Sequence, residues 1–335
     1  MENAEFKRKS STYRSMVSEE SPRFKPEAGR YHLYVALACP WAHRCLITLH
    51  MKGLADAIGV SICHPTWMKT KEHDPADPHW GWGFAPENAK PWVPHCGVGS
   101  IGSEGCIPDT VNGARSVRDL YELQNDTSGK YTVPILWDKH ERCIVNNESS
   151  EIIQMFNTAF NPVAANPTLD LQPPSTVQVA EEVNSWIYED INNGVYCCGF
   201  ARSQEAYDKA VTRLFDSLDR AEKILSQQRY ITGDFLTLAD IRLFTTLVRF
   251  DEVYVVYFKC NKKRIADYPN LHNYLRELYQ IPEFAATTNM DHIKNHYYTS
   301  HPRLNTSAIV PIGSGVIEDL KQPHNRGGNS EKESA

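Results

Sequence analysis

Residues 31–44 restrict the possible folds of this chain more than any other stretch. Residues 31–37 include aromatic and β-branched residues and carry no formal charge, which is typical of a buried strand. Pro40 then supplies the fixed φ angle that is favoured at the first position of a helix. The sequence therefore predicts a strand that leads directly into a helix, with Cys39 at the junction.

The position of Cys39 indicates a reactive thiol. The unpaired amides and the positive end of the dipole at a helix start favour the thiolate, which is the nucleophilic form of cysteine. The alternative is a buried structural cysteine, because free cysteine is among the most buried residue types. Ala42 stands where a dithiol oxidoreductase has its second cysteine, three residues on. The resolving thiol must therefore come from elsewhere, and a small-molecule thiol would serve.

Composition narrows the function classes. A length of 335 residues suits two domains, and 41% hydrophobic with 23% charged residues suffices for ordinary globular cores. No apolar run approaches the ~20 residues of a membrane span. Nine irregularly spaced cysteines fit a reducing compartment better than a complete disulfide framework. The net charge of −6 argues against a nucleic-acid binder.

These features predict a cytoplasmic protein without a membrane or nucleic-acid partner. The alternative is an organelle, because the basic run at residues 6–14 could belong to a weak organelle-targeting segment. Glu2 and Glu5 argue against that reading, because transit peptides are poor in acidic residues.

The apolar pattern divides the chain into four parts. Residues 1–30 form an N-terminal extension, and residues 31–165 show a βαβ pattern, a hairpin and a helix, with a long insertion at 64–126 that is rich in Pro, Gly, Trp and His. Between residues 170 and 300, four stretches have apolar positions at helical spacing, namely 177–196, 203–226, 237–255 and 270–280, which predicts an all-helical domain with one helix for each stretch. Residues 301–335 are expected to be a coil tail, with disorder from residue 325 onward.

Two helix starts stand out. Asn147 precedes Glu148 and Ser149 and is expected to cap a helix whose exposed amides could hold a carboxylate, with a plain helix cap as the alternative. In the second half, Thr237 and Asp240 predict a capping box.

This organisation resembles the glutathione transferase fold, an α/β thioredoxin-like N-terminal domain followed by an all-α C-terminal domain. Longer motifs look like those of the xi class, the glutathionyl-hydroquinone reductases, over residues 6–311. The motifs that carry the resemblance are Ala38-Cys39-Pro40-Trp41-Ala42-His43-Arg44, Gly81-Trp82, Thr132-Val133-Pro134, Asn147-Glu148-Ser149, Ile191-Asn-Asn-Gly-Val-Tyr196, Arg249-Phe-Asp-Glu-Val-Tyr254, Phe258-Lys-Cys260 and His296-Tyr297.

Carried over motif by motif, the resemblance implies a glutathione site without a metal. Cys39 would be the nucleophile and glutathione the co-substrate. The implied glutathione contacts are Trp82, Lys130, Tyr131, Thr132, Val133, Pro134, Glu148 and Ser149. The insertion leaves the choice of tryptophan open, since Trp67 or Trp80 could take the place of Trp82.

The chemistry of these residues agrees with that assignment. Pro134 would be a cis proline that leaves the backbone of Val133 to pair with glutathione as an added strand, with a trans proline at a sheet edge as the alternative. The γ-glutamyl end of glutathione has a carboxylate and an ammonium group. Glu148 and the helix start at Ser149 would give both charges a partner.

The resemblance also implies roles for three tyrosines around the reacting sulfur. The residue that matches Tyr196 delivers a proton to the leaving group, and those that match Tyr254 and Tyr297 stabilise the thiolate, as a phenol can do through a hydrogen bond. Tyr298 is the alternative within its pair. Cys197 stands where a basic residue commonly follows the tyrosine.

The implied activity is glutathione-dependent reduction of S-glutathionyl-hydroquinones. It would run through a Cys39–glutathione mixed disulfide that a second glutathione resolves, with release of glutathione disulfide, and the fold implies a homodimer. An omega-like thioltransferase or dehydroascorbate reductase using Cys39 is the alternative enzyme. A redox-sensing module is disfavoured because it needs no proton donor. A zinc protein with His292, His296 and His301 is disfavoured because no Cys-x-x-Cys pair exists.

Overall fold

The computed structural model describes residues 5–326. The strands are β1 (Tyr31–Val35), β2 (Gly59–Ile62), β3 (Met68–Lys69), β4 (Trp80–Gly81), β5 (Ile135–Asp138) and β6 (Cys143–Asn146). The α-helices are α1 (Pro40–Met51), α2 (Val117–Glu122), α3 (Ser149–Asn157), α4 (Val177–Trp186), α5 (Gly194–Gly199), α6 (Gln204–Leu225), α7 (Leu238–Arg249), α8 (Val255–Tyr257), α9 (Pro269–Tyr279), α10 (Pro282–Thr287), α11 (Met290–Ser300) and α12 (Val316–Leu320). Two π-helical stretches, Ile187–Asn192 and Phe250–Tyr254, follow α4 and α7.

The described residues form two compact units. The sheet unit contains residues 10–170 and 287–311, and the helical unit contains residues 5–9, 171–286 and 312–326. The predicted helical domain ended at residue 300, whereas α11 belongs to the sheet unit. The reason is that α11 hydrogen-bonds to residues of the insertion, which sequence periodicity does not reveal.

The sheet unit is built on a four-stranded mixed sheet of order β2-β1-β5-β6. β1 pairs in parallel with β2 through the crossover helix α1, and antiparallel with β5, which forms a hairpin with β6. All five residues of β1 are buried, as its uncharged sequence predicts. Helices α1 and α3 pack against each other. The predicted βαβ unit and hairpin are confirmed.

The insertion at residues 64–126 is more regular than the sequence indicates. β3 and β4 form a small antiparallel ribbon. Ser116 caps α2 by accepting a hydrogen bond from the amide of Asp119, and the Asp119 carboxylate accepts from the amide of Ser116. This ribbon carries Trp80 and leads to Trp82.

The helical unit contains the predicted helices, with two interruptions. Residues 177–196 and 237–255 were each expected to be one helix, but each contains a π-helical stretch in the structure. The Thr237–Asp240 capping box is confirmed at the start of α7, where the Asp240 carboxylate accepts hydrogen bonds from the amide and hydroxyl of Thr237. Burial raises the pKa of Asp240, although its hydrogen bonds act in the opposite direction.

The end of the described chain is mostly irregular, as expected, apart from the short helix α12. The expected disorder from residue 325 onward falls almost entirely outside the described residues. Within residues 5–326, no helix is both long and apolar enough to cross a bilayer.

Candidate active site

Cys39 lies where the sequence placed it, at the N-cap of α1, with Pro40 in the first turn. Its backbone is extended, with φ −77° and ψ 119°, and its carbonyl accepts the first helical hydrogen bond, from the amide of His43 at 2.9 Å. Its thiol is partly exposed and lies 3.7 Å from the carbonyl oxygen of Val133. A nucleophile at this position meets the positive end of the α1 dipole and faces the segment before β5.

The segment before β5 has the predicted geometry. The peptide bond between Val133 and Pro134 is cis. The carbonyl of Thr132 accepts a hydrogen bond from the hydroxyl of Tyr121 at 3.0 Å, which anchors the turn. Among residues 5–326, the amide N–H of Val133 finds no acceptor, so this backbone can pair with an extended peptide.

The side chains of the other two residues of that segment make contacts within the sheet unit. Lys130 donates from Nζ to the carbonyl of Ser10 at 3.0 Å. The Tyr131 ring packs edge-on against Tyr121, with the guanidinium of Arg118 5.5 Å from its centroid. Both side chains therefore hold the segment in place.

The helix start at α3 differs from the prediction by one residue, because Glu148 and not Asn147 is the N-cap. Asn147 is engaged elsewhere: its side chain donates to the hydroxyl of Tyr121 at 2.9 Å and accepts from the amide of Tyr13 at 3.1 Å. Asn147 thereby ties the N-terminal extension to the sheet unit.

Glu148 is held as an ionised carboxylate. Its Oε1 accepts from the amide and hydroxyl of Ser150, at 3.1 and 2.9 Å, and its Oε2 accepts from the hydroxyl of Ser11 at 3.0 Å. Burial acts to raise the pKa of Glu148, but these hydrogen bonds and the positive charge of Arg44 outweigh it, so the pKa is lowered.

Ser149, the first residue of α3, is 3% exposed. In the described part of the chain, neither its amide nor its hydroxyl donates a hydrogen bond to another residue. Two donors at a helix start, next to a fixed carboxylate, match a ligand that carries both a carboxylate and an ammonium group.

Trp82 belongs to an aromatic cluster that reaches α11. Its indole stacks on the imidazole of His296 at 4.2 Å between centroids, with Trp67 edge-on to both rings. His296 is held by the carbonyl of Pro65, 2.9 Å from its Nδ1. The alternative Trp80 stacks instead on His95, at 4.1 Å. The structure thus places Trp67 beside Trp82 and gives Trp80 a different stacking partner.

Tyr297 follows His296 on α11 and is 2% exposed. Its ring packs against the imidazoles of His296 and His301, at 5.3 and 6.4 Å. Burial lowers the pKa of His301 to about 4, so this imidazole is neutral at pH 7. Tyr298 is also buried, 3% exposed, so burial does not decide between the two tyrosines.

Tyr196 and Tyr254 lie together in the helical unit. We call Tyr196, Phe200, Tyr254 and Phe258 the tyrosine cluster. Tyr254 stacks on Phe258 at 5.4 Å, and both contact the half-buried ring of Tyr196, at 6.2 and 5.4 Å. Gly199 makes this packing possible, since a Cβ atom there would lie 2.1 Å from the ring of Phe258.

Each of these two tyrosines lies in or shortly after a π-helical stretch. One stretch ends at Asn192, just before α5 with Tyr196, and the other ends at Tyr254 itself. A π turn takes one more residue than an α turn, so it changes which side chains face a neighbour.

Sequence reasoning missed two contributors to the site. Ser11 donates to Glu148 from 137 residues away in the chain, so no local pattern could reveal it. His296 was considered as a zinc ligand or as part of a motif, but it packs on Trp82. Within residues 5–326, no three potential metal ligands lie together.

Comparisons with known proteins identify the family of this chain. The family model described as glutathione S-transferase, N-terminal domain, matches residues 38–159, and the corresponding C-terminal domain model matches residues 204–277. Glutathionyl-hydroquinone reductase YqjG of Escherichia coli K12 is 46% identical, with 96% of this chain and 92% of that protein covered. The xi-class glutathione transferase of Phanerochaete chrysosporium is 47% identical, with a TM-score of 0.83 and 96% of each chain covered.

The chain belongs to the xi class of the glutathione transferase family. The expected fold class, a thioredoxin-like domain followed by an all-α domain, is thereby confirmed. A further relative supports the assignment. PcpF of Sphingobium chlorophenolicum, also named a glutathionyl-hydroquinone reductase, is 44% identical, with 92% of this chain and 89% of that protein covered.

The glutathione-bound structure of Escherichia coli YqjG is 45% identical to this xi-class chain, with a TM-score of 0.82, 94% of this chain and 96% of that chain covered. A relative named omega-like is slightly more distant: glutathione S-transferase omega-like 2 of Schizosaccharomyces pombe is 41% identical, with 93% of this chain and 94% of that protein covered.

Proposed function

We propose that this xi-class chain reduces S-glutathionyl-hydroquinones to hydroquinones with glutathione as reductant. The Cys39 thiolate attacks the glutathione sulfur of the substrate, and a bond forms between the two sulfur atoms while the bond from sulfur to the aromatic carbon breaks. The electron pair of that bond goes to the carbon, which takes a proton from a tyrosine. A second glutathione thiolate then attacks the mixed disulfide, which releases glutathione disulfide and the Cys39 thiolate.

One observation carries this proposal: the Cys39 thiol lies 3.7 Å from the carbonyl of Val133, beside a backbone amide that is open to a peptide. If glutathione pairs with Val133 as an added strand, its own cysteine comes next to Cys39. Glu148 and Ser149 at the start of α3 then receive the ammonium and carboxylate of its γ-glutamyl end. Trp82, whose indole stacks on His296, would cover the peptide.

The tyrosine roles rest on the family motifs. We assign the proton donor to Tyr196 and thiolate stabilisation to Tyr254 and Tyr297. The packing of each tyrosine supports the assignment of a fixed role, since Tyr254 is fully buried and Tyr297 is 2% exposed, whereas the partly exposed Tyr196 can meet an organic substrate.

Intact-mass measurement tests the covalent step. Protein incubated with a glutathionyl-hydroquinone alone should gain one glutathione, and peptide mapping should place it on Cys39. Steady-state rates with both substrates varied should give parallel double-reciprocal lines, as expected for two half-reactions. Cys39→Ser should lose both the adduct and the reduction.

Cys96→Ser is the matched control, because Cys96 is also partly exposed but lies in the insertion and not at a helix start. It should retain the adduct and the activity. A modified Cys96 with an unmodified Cys39, or intersecting kinetic lines, would contradict the proposal.

A second candidate function uses the same thiol. Two relatives are named omega-like. An omega-like thioltransferase or dehydroascorbate reductase would need Cys39 and glutathione but no proton on carbon. Turnover of dehydroascorbate well above that of a glutathionyl-hydroquinone would support this candidate.

We also propose that the protein is a cytoplasmic homodimer. Within residues 5–326, none of the nine cysteines is joined in a disulfide, which suits a reducing compartment, and transferase folds generally pair about a two-fold axis. Light scattering at micromolar concentration should give twice the mass of the 38.1 kDa chain.

A further inference from the structure

The N-terminal segment, residues 5–9, contacts the proposed proton donor within the helical unit. The guanidinium carbon of Arg8 lies 4.8 Å from the centroid of the Tyr196 ring. Phe6 stacks on the same ring at 6.5 Å and packs on Phe200 at 5.5 Å. A cation and an aromatic ring from the start of the chain therefore meet Tyr196.

Arg8 is also tied to the turn that carries Tyr196. Its Nε donates to Oδ1 of Asn193 at 3.1 Å, and the Tyr196 amide donates to the Asn193 carbonyl at 3.0 Å. Asn193 precedes α5 and is only 9% exposed, so its side chain holds the guanidinium in a fixed position. The position of the charge is thus coupled to the position of the ring.

We propose that Arg8 is a positioning residue for Tyr196 in proton delivery, with Phe6 holding the segment on the ring. This inference rests on the proposed function, in which the Tyr196 O–H bond breaks and the proton joins the aromatic carbon. The phenolate that remains is stabilised by the adjacent guanidinium, whose charge also attracts the ring electrons. Solvent returns the proton before the next turnover.

The expected effect is modest because Arg8 is exposed. Arg8→Gln keeps most of the side-chain length but removes the charge. It should lower kcat for the glutathionyl-hydroquinone about two- to fivefold and leave KM unchanged. Arg8→Lys should recover part of the loss. Lys7→Gln, an equally exposed neighbour, should have no effect.

A double-mutant cycle separates this role from a structural one. If Arg8 acts through Tyr196, then Arg8→Gln in a Tyr196→Phe background should cost no further activity. The same loss in both backgrounds, a rise in KM alone, or no loss in the single variant would overturn the inference.

A measurement without turnover keeps the inference distinct from the proposed function. In protein with ¹³Cζ-labelled tyrosine, the Tyr196 resonance is assigned by its absence in Tyr196→Phe. The titration midpoint of Tyr196 should rise in Arg8→Gln and should be unchanged in Lys7→Gln. Tyr254 is the titratable ring 6.2 Å from Tyr196, and it is present in all of these variants. An unchanged midpoint overturns the inference. If the unmodified protein fails to reduce glutathionyl-hydroquinone, the proposed function fails, and the midpoint still decides whether Arg8 acts on the Tyr196 phenol.

Discussion

The sheet unit and the helical unit hold their proposed site residues in different ways. Val133, Glu148 and Ser149 present backbone amides and short polar groups at a strand edge and a helix start, where unpaired donors are inherent to the backbone. Tyr196 and Tyr254 are instead positioned by aromatic packing at the ends of π-helical stretches. The polar groups of the sheet unit are thus positioned by the local backbone, whereas the two tyrosines depend on the packing of the whole tyrosine cluster.

If this contrast is correct, substitutions in the two units should differ in kind as well as in size. Loss of a tyrosine should change the chemical step or the nucleophile. Loss of a polar group at α3 should change glutathione binding and leave the chemical step unchanged.

The largest effect is expected for Tyr196→Phe. It removes the proton donor and should lower kcat for glutathionyl-hydroquinone about a hundredfold or more, with little change in KM. Stopped-flow measurement of hydroquinone release would show this. Tyr188→Phe, an exposed tyrosine of the same unit, is the control and should retain full activity. Equal losses in both variants would point to damaged packing.

The next effect concerns Tyr254→Phe and Tyr297→Phe. Each removes a hydrogen bond to an anion, worth about 1.5–3 kcal/mol, so the thiolate should form about one to two pH units higher. The pH dependence of iodoacetamide alkylation at Cys39 measures this shift. Tyr298→Phe resolves the ambiguity within the pair. If Tyr298→Phe moves the profile and Tyr297→Phe does not, the roles of these neighbours are exchanged.

On the glutathione side, Ser149→Ala should raise KM for glutathione about tenfold, because it removes one hydrogen bond to a carboxylate. The amide of residue 149 remains, so binding should weaken without being lost, and kcat should stay the same. Ser128→Ala, in the turn before the Val133 segment, is the control. A fall in kcat without a change in KM would break the contrast between the two units.

The smallest effect is expected for His296. His296→Ala removes the ring that stacks on Trp82 and should weaken glutathione binding a few-fold. This corresponds to a loss of about 0.5–1 kcal/mol of binding free energy. His296→Phe keeps an aromatic surface and should recover most of the affinity. Isothermal titration with glutathione would measure both. If Phe is no better than Ala, the polar contact with Pro65 matters more than stacking.

Local features of both units were predictable from the sequence. The strand and helix that flank Cys39 follow from an uncharged apolar run and a proline, and the Thr237–Asp240 capping box follows from residue spacing. The start of α3 was predicted to within one residue. The missing detail was tertiary, since Asn147 binds Tyr13 and Tyr121 and leaves the cap to Glu148.

By itself, then, the sequence determined the order of the elements, the fold class and the position of Cys39 at the start of α1, because these depend on neighbours a few residues apart. Only the tertiary structure decided that α11 joins the sheet unit, that Ser11 supports Glu148, and that π-helical turns interrupt two helices beside Tyr196 and Tyr254. The physical reason is that each of these depends on contacts between distant segments, in which packing and hydrogen-bond satisfaction override local periodicity.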